Sequence, residues 1–272
     1  IKPITQNYNT DITKPADPTK VGYTFAGWDI EVPSKMPAED MLITASWTAN
    51  GDTPYKVNHH LMNLDGSTYK LHETTNHKGT TAESVTLSKL AEEYDGFKYA
   101  EGKVGNDVVE TTTILADGSL VIDLFYTRQQ YTVTLNMGEG IDATTGAGTY
   151  YYEQEVTIDA TVGTGYTWST WTGTHSTTTQ KYTFTMPASD VTDEATATIN
   201  QYTITFDTKG GTTIEPITQN YNTDVTKPAD PTKVGYTFAG WDKEVTTVTG
   251  NITYTAEYTQ SWNKQLLIVK LS

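Results

Sequence analysis

The sequence predicts a mainly β chain, built as small modules in tandem, one with a short helix, in an elongated array. Three observations carry that prediction. Apolar and polar residues alternate with period two in many short runs, as in QYTITFD at residues 201–207 and SLVIDLFY at 119–126, and this period marks half-buried strands. Roughly one residue in five is Thr, a β-branched residue that favours strands and keeps an exposed strand face wet. Finally, residues 3–29 read PITQNYNTDITKPADPTKVGYTFAGWD, and residues 216–242 repeat this with one change, Ile12 against Val225. Such fidelity marks a duplicated repeat.

Composition narrows the function classes. The 272 residues hold 18 Lys+Arg against 33 Asp+Glu, a formal net charge of −15, and no Cys. Disulfides, thiolate metal sites and a Cys nucleophile are therefore excluded. An acidic chain without basic blocks is a poor ligand for nucleic acid or for an anionic membrane surface. No apolar run approaches the ~20 residues of a membrane helix, so membrane insertion is not expected. Low charge content with 18 Tyr argues against disorder.

The elements follow in order. Residues 1–50 form a truncated repeat: Ile1 matches Ile214, and nothing in it corresponds to the strand and Gly-Gly turn QYTITFDTKGG at 201–211. The chain is thus expected to be a piece of a longer protein. Residues 51–129 follow a polar junction at Ala49-Asn50-Gly51-Asp52. Here YKVNHHLM and STYKLHET alternate on either side of Asn63-Leu64-Asp65-Gly66, a hairpin signal. Residues 81–94 carry a helical spacing of Val85, Leu87, Leu90 and Ala91 that predicts one to two turns. The segment closes with a strand that puts Leu120, Ile122, Leu124 and Tyr126 on one face. Residues 130–200 read as strands YTVTLN, GAGTYYY, EVTIDATV, GYTWSTWTG, QKYTFTMP and EATATIN. Residues 201–260 are the complete repeat, and 261–272 a β-prone tail. Each module has ~50–75 residues, a size at which a single core is marginal and neighbours contribute.

The motif GYTFAGW at residues 22–28 and 235–241, with YTITFDTKGG upstream and TKPADPTK between, resembles the Listeria–Bacteroides repeat, also called the internalin B-repeat. That resemblance implies a small β-grasp-like module in a surface protein of a Gram-positive bacterium or relative. Residues 51–129 resemble a mucin-binding-protein (MucBP) module through YKVNHHLMNLDGSTYKL, EEYDGFKY and ADGSLVIDLFYTR, with an insertion-like KVGNDVVETTTI. Residues 130–200 are similar to a divergent bacterial surface repeat. Together these resemblances imply an extracellular, cell-surface or cell-wall protein, and none brings a catalytic set or a cofactor.

The chemistry-bearing residues are few. Trp28 and Trp241 each follow a Gly and read as interior anchors of their small sheets, paired with Tyr23 and Tyr236; a sugar-stacking role is the other reading. Tyr150, Tyr151 and Tyr152 are consecutive, so at least one must face outward. Trp168 and Trp171 lie three apart in a Thr/Ser/Gly-rich stretch. Flat aromatics beside hydrogen-bonding side chains suit a glycan, which makes these five the candidate ligand-binding residues; the alternative is one core Trp and ordinary strand tyrosines. His59, His60, His72 and His77 gather in the first hairpin, and two imidazoles with Glu73 or Asp65 would suit zinc. The spacing matches no zinc motif, so solvated histidines are expected. Asp11, Asp17, Asp65, Asp117, Asp142 and Asp190 are scattered, which gives no glycosidase pair. There is no EF-hand spacing or nucleophile elbow.

The expected function is a non-catalytic cell-surface stalk or adhesin region. Its expected partners are a mucin-type glycan or a host surface protein. The runner-up is an accessory binding region of a large secreted glycan-degrading enzyme. A further expectation is strand exchange between chains, with the tail supplying a strand in trans to the incomplete N-terminal repeat; the alternative is that the tail extends the last module.

Overall fold

The computed structural model describes residues 1–261. Almost all regular structure is β-strand; the helical content among the described residues is one 3-10 turn, Leu87–Leu90. No helix among them is long and apolar enough to cross a membrane. The chain divides into two compact units, residues 1–130 with 151–154, and residues 131–150 with 155 onward.

The first unit opens with β1 (Tyr23–Trp28) and β2 (Ala45–Ala49), an antiparallel pair. The register slips between Phe25 and Gly27, a bulge at which Gly27 has φ 120°, a region that suits glycine. The bulge returns Trp28 to the side of Phe25, and the two rings meet edge-to-face at 5.3 Å.

The same unit continues with β3 (Thr53–Met62), β4 (Tyr69–Gly79), β5 (Ser84–Thr86), the 3-10 turn, β6 (Phe97–Val104), β7 (Asp107–Val108), β8 (Thr111–Thr113) and β9 (Val121–Arg128). A mixed sheet has the order β4-β3-β9-β6-β7, and β5 pairs with β8 apart from it. The hairpin between β3 and β4 is closed by Asp65, whose carboxylate accepts from the backbone N–H of Ser67 and Thr68. The core follows the alternation read from the sequence. Leu120, Ile122, Leu124 and Tyr126 are all buried and meet Tyr55, Val57, Leu87 and Ile114. The helical expectation for 81–94 needs correction. Val85 is strand, paired with Thr112, and only Leu87–Leu90 turns, in 3-10 form. Cross-strand pairing of Ser84–Thr86 takes the first residues of that apolar pattern away from any helix.

The second unit holds β10 (Gln130–Met137), β11 (Ile141–Thr145), β12 (Gly148–Tyr151), β13 (Glu155–Val162), β14 (Tyr166–Gly173), β15 (Tyr182–Thr185) and β16 (Val191–Ile199). They form one sheet of order β12-β10-β16-β14 and a second of order β11-β13-β15. Their inner faces share a core of Val133, Val156, Ile158, Trp171, Met186 and Val191. Then come β17 (Gln201–Asp207), β18 (Ile217–Asn220), β19 (Tyr236–Trp241) and β20 (Ile252–Gln260), ordered β18-β17-β20-β19.

One plan underlies the three larger sheets. In each, the first strand lies beside the last and runs parallel to it: β3 with β9, β10 with β16, β17 with β20. The second strand flanks the first, and the other main strand flanks the last, antiparallel to it: β6, β14 and β19. Each of these outer strands carries a bulge, at Tyr99/Glu101, Trp168/Thr170 and Phe238/Gly240, matching Phe25/Gly27 in β1. Residues 1–50 thus contain only the outer and last strands of the plan.

A backbone clasp accompanies it. The residue after each last strand, Asn50, Gln129, Asn200 or Ser261, donates its N–H to the carbonyl of Gly22, Gly96, Gly165 or Gly235. In three cases the same residue's carbonyl then accepts from a later N–H: Asn50 from Thr81, Gln129 from Tyr152, Asn200 from Tyr221. The Tyr152 and Tyr221 rings lie flat on Gly96 and Gly165, where any Cβ would stand 2.2 and 1.9 Å from a ring carbon.

Candidate binding surface

The five aromatic candidates occupy different places. Trp171 is fully buried, and its Nε1 donates to the Gln180 carbonyl at 2.8 Å. The bulge in β14 explains this. GYTWSTW at 165–171 is the counterpart of GYTFAGW at 22–28, and the bulge turns Trp171 inward as it turns Trp28 and Trp241. Trp171 is therefore a core side chain with no face for a ligand. Trp168, half-buried, packs edge-to-face on it at 5.4 Å and donates Nε1 to the Thr178 carbonyl. Tyr150 packs on the same core, its hydroxyl donating to the Gly146 carbonyl. Tyr151 leans on the β3–β4 turn at Gly66. Tyr152 is the clasp residue, edge-on to Phe97 at 5.8 Å. The five do not form one platform.

Trp28 and Trp241 also depart from a simple interior reading. Trp241 packs on Phe206 at 5.1 Å and on Phe238 at 5.3 Å. Its expected partner Tyr236 is 43% exposed; it stands at the end of β19 opposite Gln260, with the Lys233 ammonium 4.8 Å from its ring centre. Trp28 and Trp241 are both half-buried; Trp241 packs against the buried cluster of Ile204, Phe206 and Tyr254, whereas no residue between 1 and 50 is buried.

The first unit contains a shallow groove of about 590 Å³ that includes Tyr152, Phe97 and Arg128 together with Lys70, His72 and Asp95. Arg128 is its fixed point. Its guanidinium stands 4.6 Å over the Phe97 ring, donates Nε to the Met62 carbonyl and Nη1 to the Tyr152 carbonyl, and pairs with Glu153 at 2.7 Å. Tyr94, at the groove edge, donates its hydroxyl to Glu73 at 2.6 Å; burial first and that carboxylate second push its pKa well above the ordinary phenol range. The groove thus combines a clamped cation, two aromatic rings and exposed acids, a set that suits a neutral polar ligand with several hydroxyls.

The histidines do not converge. Among the described residues no three His, Cys, Asp or Glu side chains gather as a metal site would need. The expectation of solvated histidines requires correction for His59, which is fully buried. Tyr126 Oη accepts from the Glu92 N–H at 3.0 Å, which leaves its own proton for His59 Nδ1 at 2.9 Å; His59 Nε2 faces Thr75 Oγ1 at 3.2 Å. Burial lowers the His59 pKa and keeps the ring neutral. His60 pairs instead with Asp123 at 2.7 Å. A second buried polar pair, Asp193 with His175 at 2.7 Å, joins β16 to the loop after β14. The sequence signal for His59 was its position two residues beyond Val57 on the inward face.

Comparisons with known proteins find repeat families in three stretches of the chain. Residues 2–53 and 202–266 match the model of the Listeria-Bacteroides repeat domain, and residues 131–201 match that of the divergent InlB B-repeat domain. Internalin H of Listeria monocytogenes is 42% identical over 89 residues, 29% of this chain and 16% of that protein. A protein of Evansella cellulosilytica is 40% identical over 43 residues, 16% of this chain and 6% of its own length. The chain therefore spans a small fraction of the curated relatives it matches. Among solved structures, the Bacillus anthracis TIE protein aligns with a TM-score of 0.36 and 9% identity, over 80% of this chain and 54% of that one.

Proposed function

We propose that this chain, which carries Listeria–Bacteroides repeats and a divergent InlB B-repeat, serves at a bacterial surface as a non-catalytic stalk with an adhesive groove. The observation that supports the reading most is the reuse of one sheet plan and one backbone clasp along the chain. A spacer needs a unit that can be repeated with its junction included, and that is the form the sequence takes. The net charge of −15 and the absence of Cys suit an exposed protein indifferent to redox conditions. The MucBP-type reading of residues 51–129 belongs to the same proposal, since the groove lies mostly on that segment.

The proposed ligand is a glycan, as on a mucin, held by ring contact with Tyr152, by hydrogen bonds donated by Lys70 and by hydroxyl hydrogen bonds accepted by Asp95. A glycan and mucin array probed with the intact chain tests this. Binding that falls at least about tenfold in Lys70→Ala and Asp95→Ala, both exposed and structurally neutral, supports the groove. Binding unchanged in both variants would move the site elsewhere. Release of cleaved sugar by the purified chain would overturn the non-catalytic reading.

A further inference from the structure

Two junction motifs read from the sequence play no part in the groove. The tail at 262–272, put forward there as a strand donor, lies outside the described residues. The other is Asn50-Gly51, the one Asn-Gly step in the chain, placed where β2 has ended and β3 has not begun. Asn50 is the clasp residue of the first repeat. Its N–H donates to the Gly22 carbonyl and its own carbonyl accepts from the Thr81 N–H, both at 2.9 Å. Gly22 is seated closely on the following segment: a Cβ there would stand 2.7 Å from the Ala116 carbonyl oxygen.

The groups around Asn50 are arranged for a reaction between neighbours. The Thr24 hydroxyl donates to Asn50 Oδ1 at 2.8 Å, which draws electron density from the amide carbon and favours charge developing on that oxygen. Gly51 is exposed, with no atom within 4 Å of where a Cβ would lie. Its N–H has no hydrogen-bond acceptor among the described residues. Gly66 and Gly118, which follow Asp65 and Asp117, differ: their N–H groups are tied to the Asn63 and Leu115 carbonyls. Without a Cβ, the Gly51 nitrogen approaches the Asn50 side chain unhindered. The attack closes a small ring within one chain, so proximity replaces collision.

We propose that Asn50 is a self-modification site. The Gly51 nitrogen bonds to Asn50 Cγ and gives up its proton, and the side-chain amine leaves as ammonia, which yields a succinimide. Water, the sole co-reactant, then opens the ring, and no electrons are transferred. Opening at the former side-chain carbonyl gives an aspartate. Opening at the main-chain carbonyl gives an isoaspartate, whose main chain runs through the old side chain and is one methylene longer. The carbonyl that accepted from Thr81 then becomes a branching carboxylate. The clasp between the first repeat and the segment after it opens with age, without an external signal.

The chain carries its own control. Asn200 repeats the arrangement: the Thr167 hydroxyl donates to its Oδ1 at 2.6 Å, its N–H donates to Gly165, and its carbonyl accepts from Tyr221. Its successor is Gln201, which has a Cβ and is paired in β17 across from Asn220. Asn200 therefore stays an amide.

The test ages the intact chain in warm, mildly alkaline buffer and follows amide-to-acid conversion by peptide mapping with mass spectrometry. Asn50 should convert at least about tenfold faster than Asn200, with isoaspartate among the products. Thr24→Val should slow the conversion about tenfold, less than loss of an enclosed oxyanion donor because this hydroxyl is exposed, and Thr24→Ser should restore it. The Thr81 amide should exchange at least about tenfold faster in aged protein, and should stay protected in aged Asn50→Gln. A free peptide of residues 46–56 that converts while Asn50 in the folded chain remains an amide would overturn the proposal, since the fold would then protect the site. Equal rates at Asn50 and Asn200 would overturn it too. Conversion that Thr24→Val leaves unchanged would remove the role of Thr24, and a protected Thr81 amide in isoaspartate-containing protein would remove the opening of the clasp.

Discussion

Trp171→Ala separates the two readings of the third segment most sharply. The side chain is wholly buried at the centre of the core formed by Val133, Val156, Ile158 and Met186. Truncating such a ring costs about 3–5 kcal/mol in lost transfer and cavity terms. The Gln180 carbonyl, which accepts the indole N–H at 2.8 Å, loses its donor for about 1 kcal/mol more. A segment of ~70 residues has a total stability of about 4–10 kcal/mol, so the substitution removes about half or more. Since the chain contains several cores, one melting temperature would not isolate the effect. Hydrogen exchange resolved along the chain does. Amides in 131–199 should exchange about a thousandfold faster, while those in 53–128 stay as in the parent. Trp171→Phe keeps most of the packing and should cost roughly a third as much. The reasoning is refuted if Trp171→Ala leaves protection in 131–199 intact and instead weakens glycan binding.

Two further outcomes follow from the same geometry. Gly102 in β6 holds the place of the repeat's Trp, and Leu87 fills the space, its Cδ2 standing 2.6 Å from where a Gly102 Cβ would lie. Gly102→Ala should destabilise the segment by about 1–3 kcal/mol through overpacking; combined with Leu87→Ala it should cost much less than the sum, as a urea-denaturation double-mutant cycle will show. Burial lowers the His59 pKa below its ordinary 6.5, so on acidification the unfolded chain takes the proton first. The stability contribution is complete above pH 6.5 and is lost as pH falls below it, by at most about 1.4 kcal/mol per pH unit. His59→Gln should flatten the stability profile between pH 5 and 6.5, read by urea unfolding at each pH.

Much of the architecture was legible because strand alternation leaves its mark in the primary structure. Leu120 to Tyr126 alternate cleanly and are buried as expected. The bulges were not legible, and they decide the side chains that matter. In the β3–β4 pair the register slips between His59 and His60, with His72 of β4 as the extra residue, so the cross-strand partners beyond it could not be counted from the sequence, although β3 stays in step with β9 and Leu61 still packs on the core. In β14 the bulge falls at Ser169, where Thr170 replaces the glycine that flags the same bulge in YTFAGW. Without that glycine nothing marked which of Trp168 and Trp171 was the core Trp, and both stood as ligand candidates. β11 was missed because IDATT is short and mostly polar, and only Ile141 in it is buried. The role of Tyr152 could not be seen at all, since its seat on Gly96 is made by residues more than fifty positions away.

The parallel neighbours β3/β9, β10/β16 and β17/β20 have a mechanical consequence. In each sheet the chain enters on one of the pair and leaves on the other, at opposite ends. Tension along the polypeptide then drags these two strands past each other, and the hydrogen bonds between them must rupture as a group. An antiparallel pair tugged from adjacent ends would unzip one rung at a time. Sheets wired in this way resist stretching, which is the load a stalk of the kind proposed would carry.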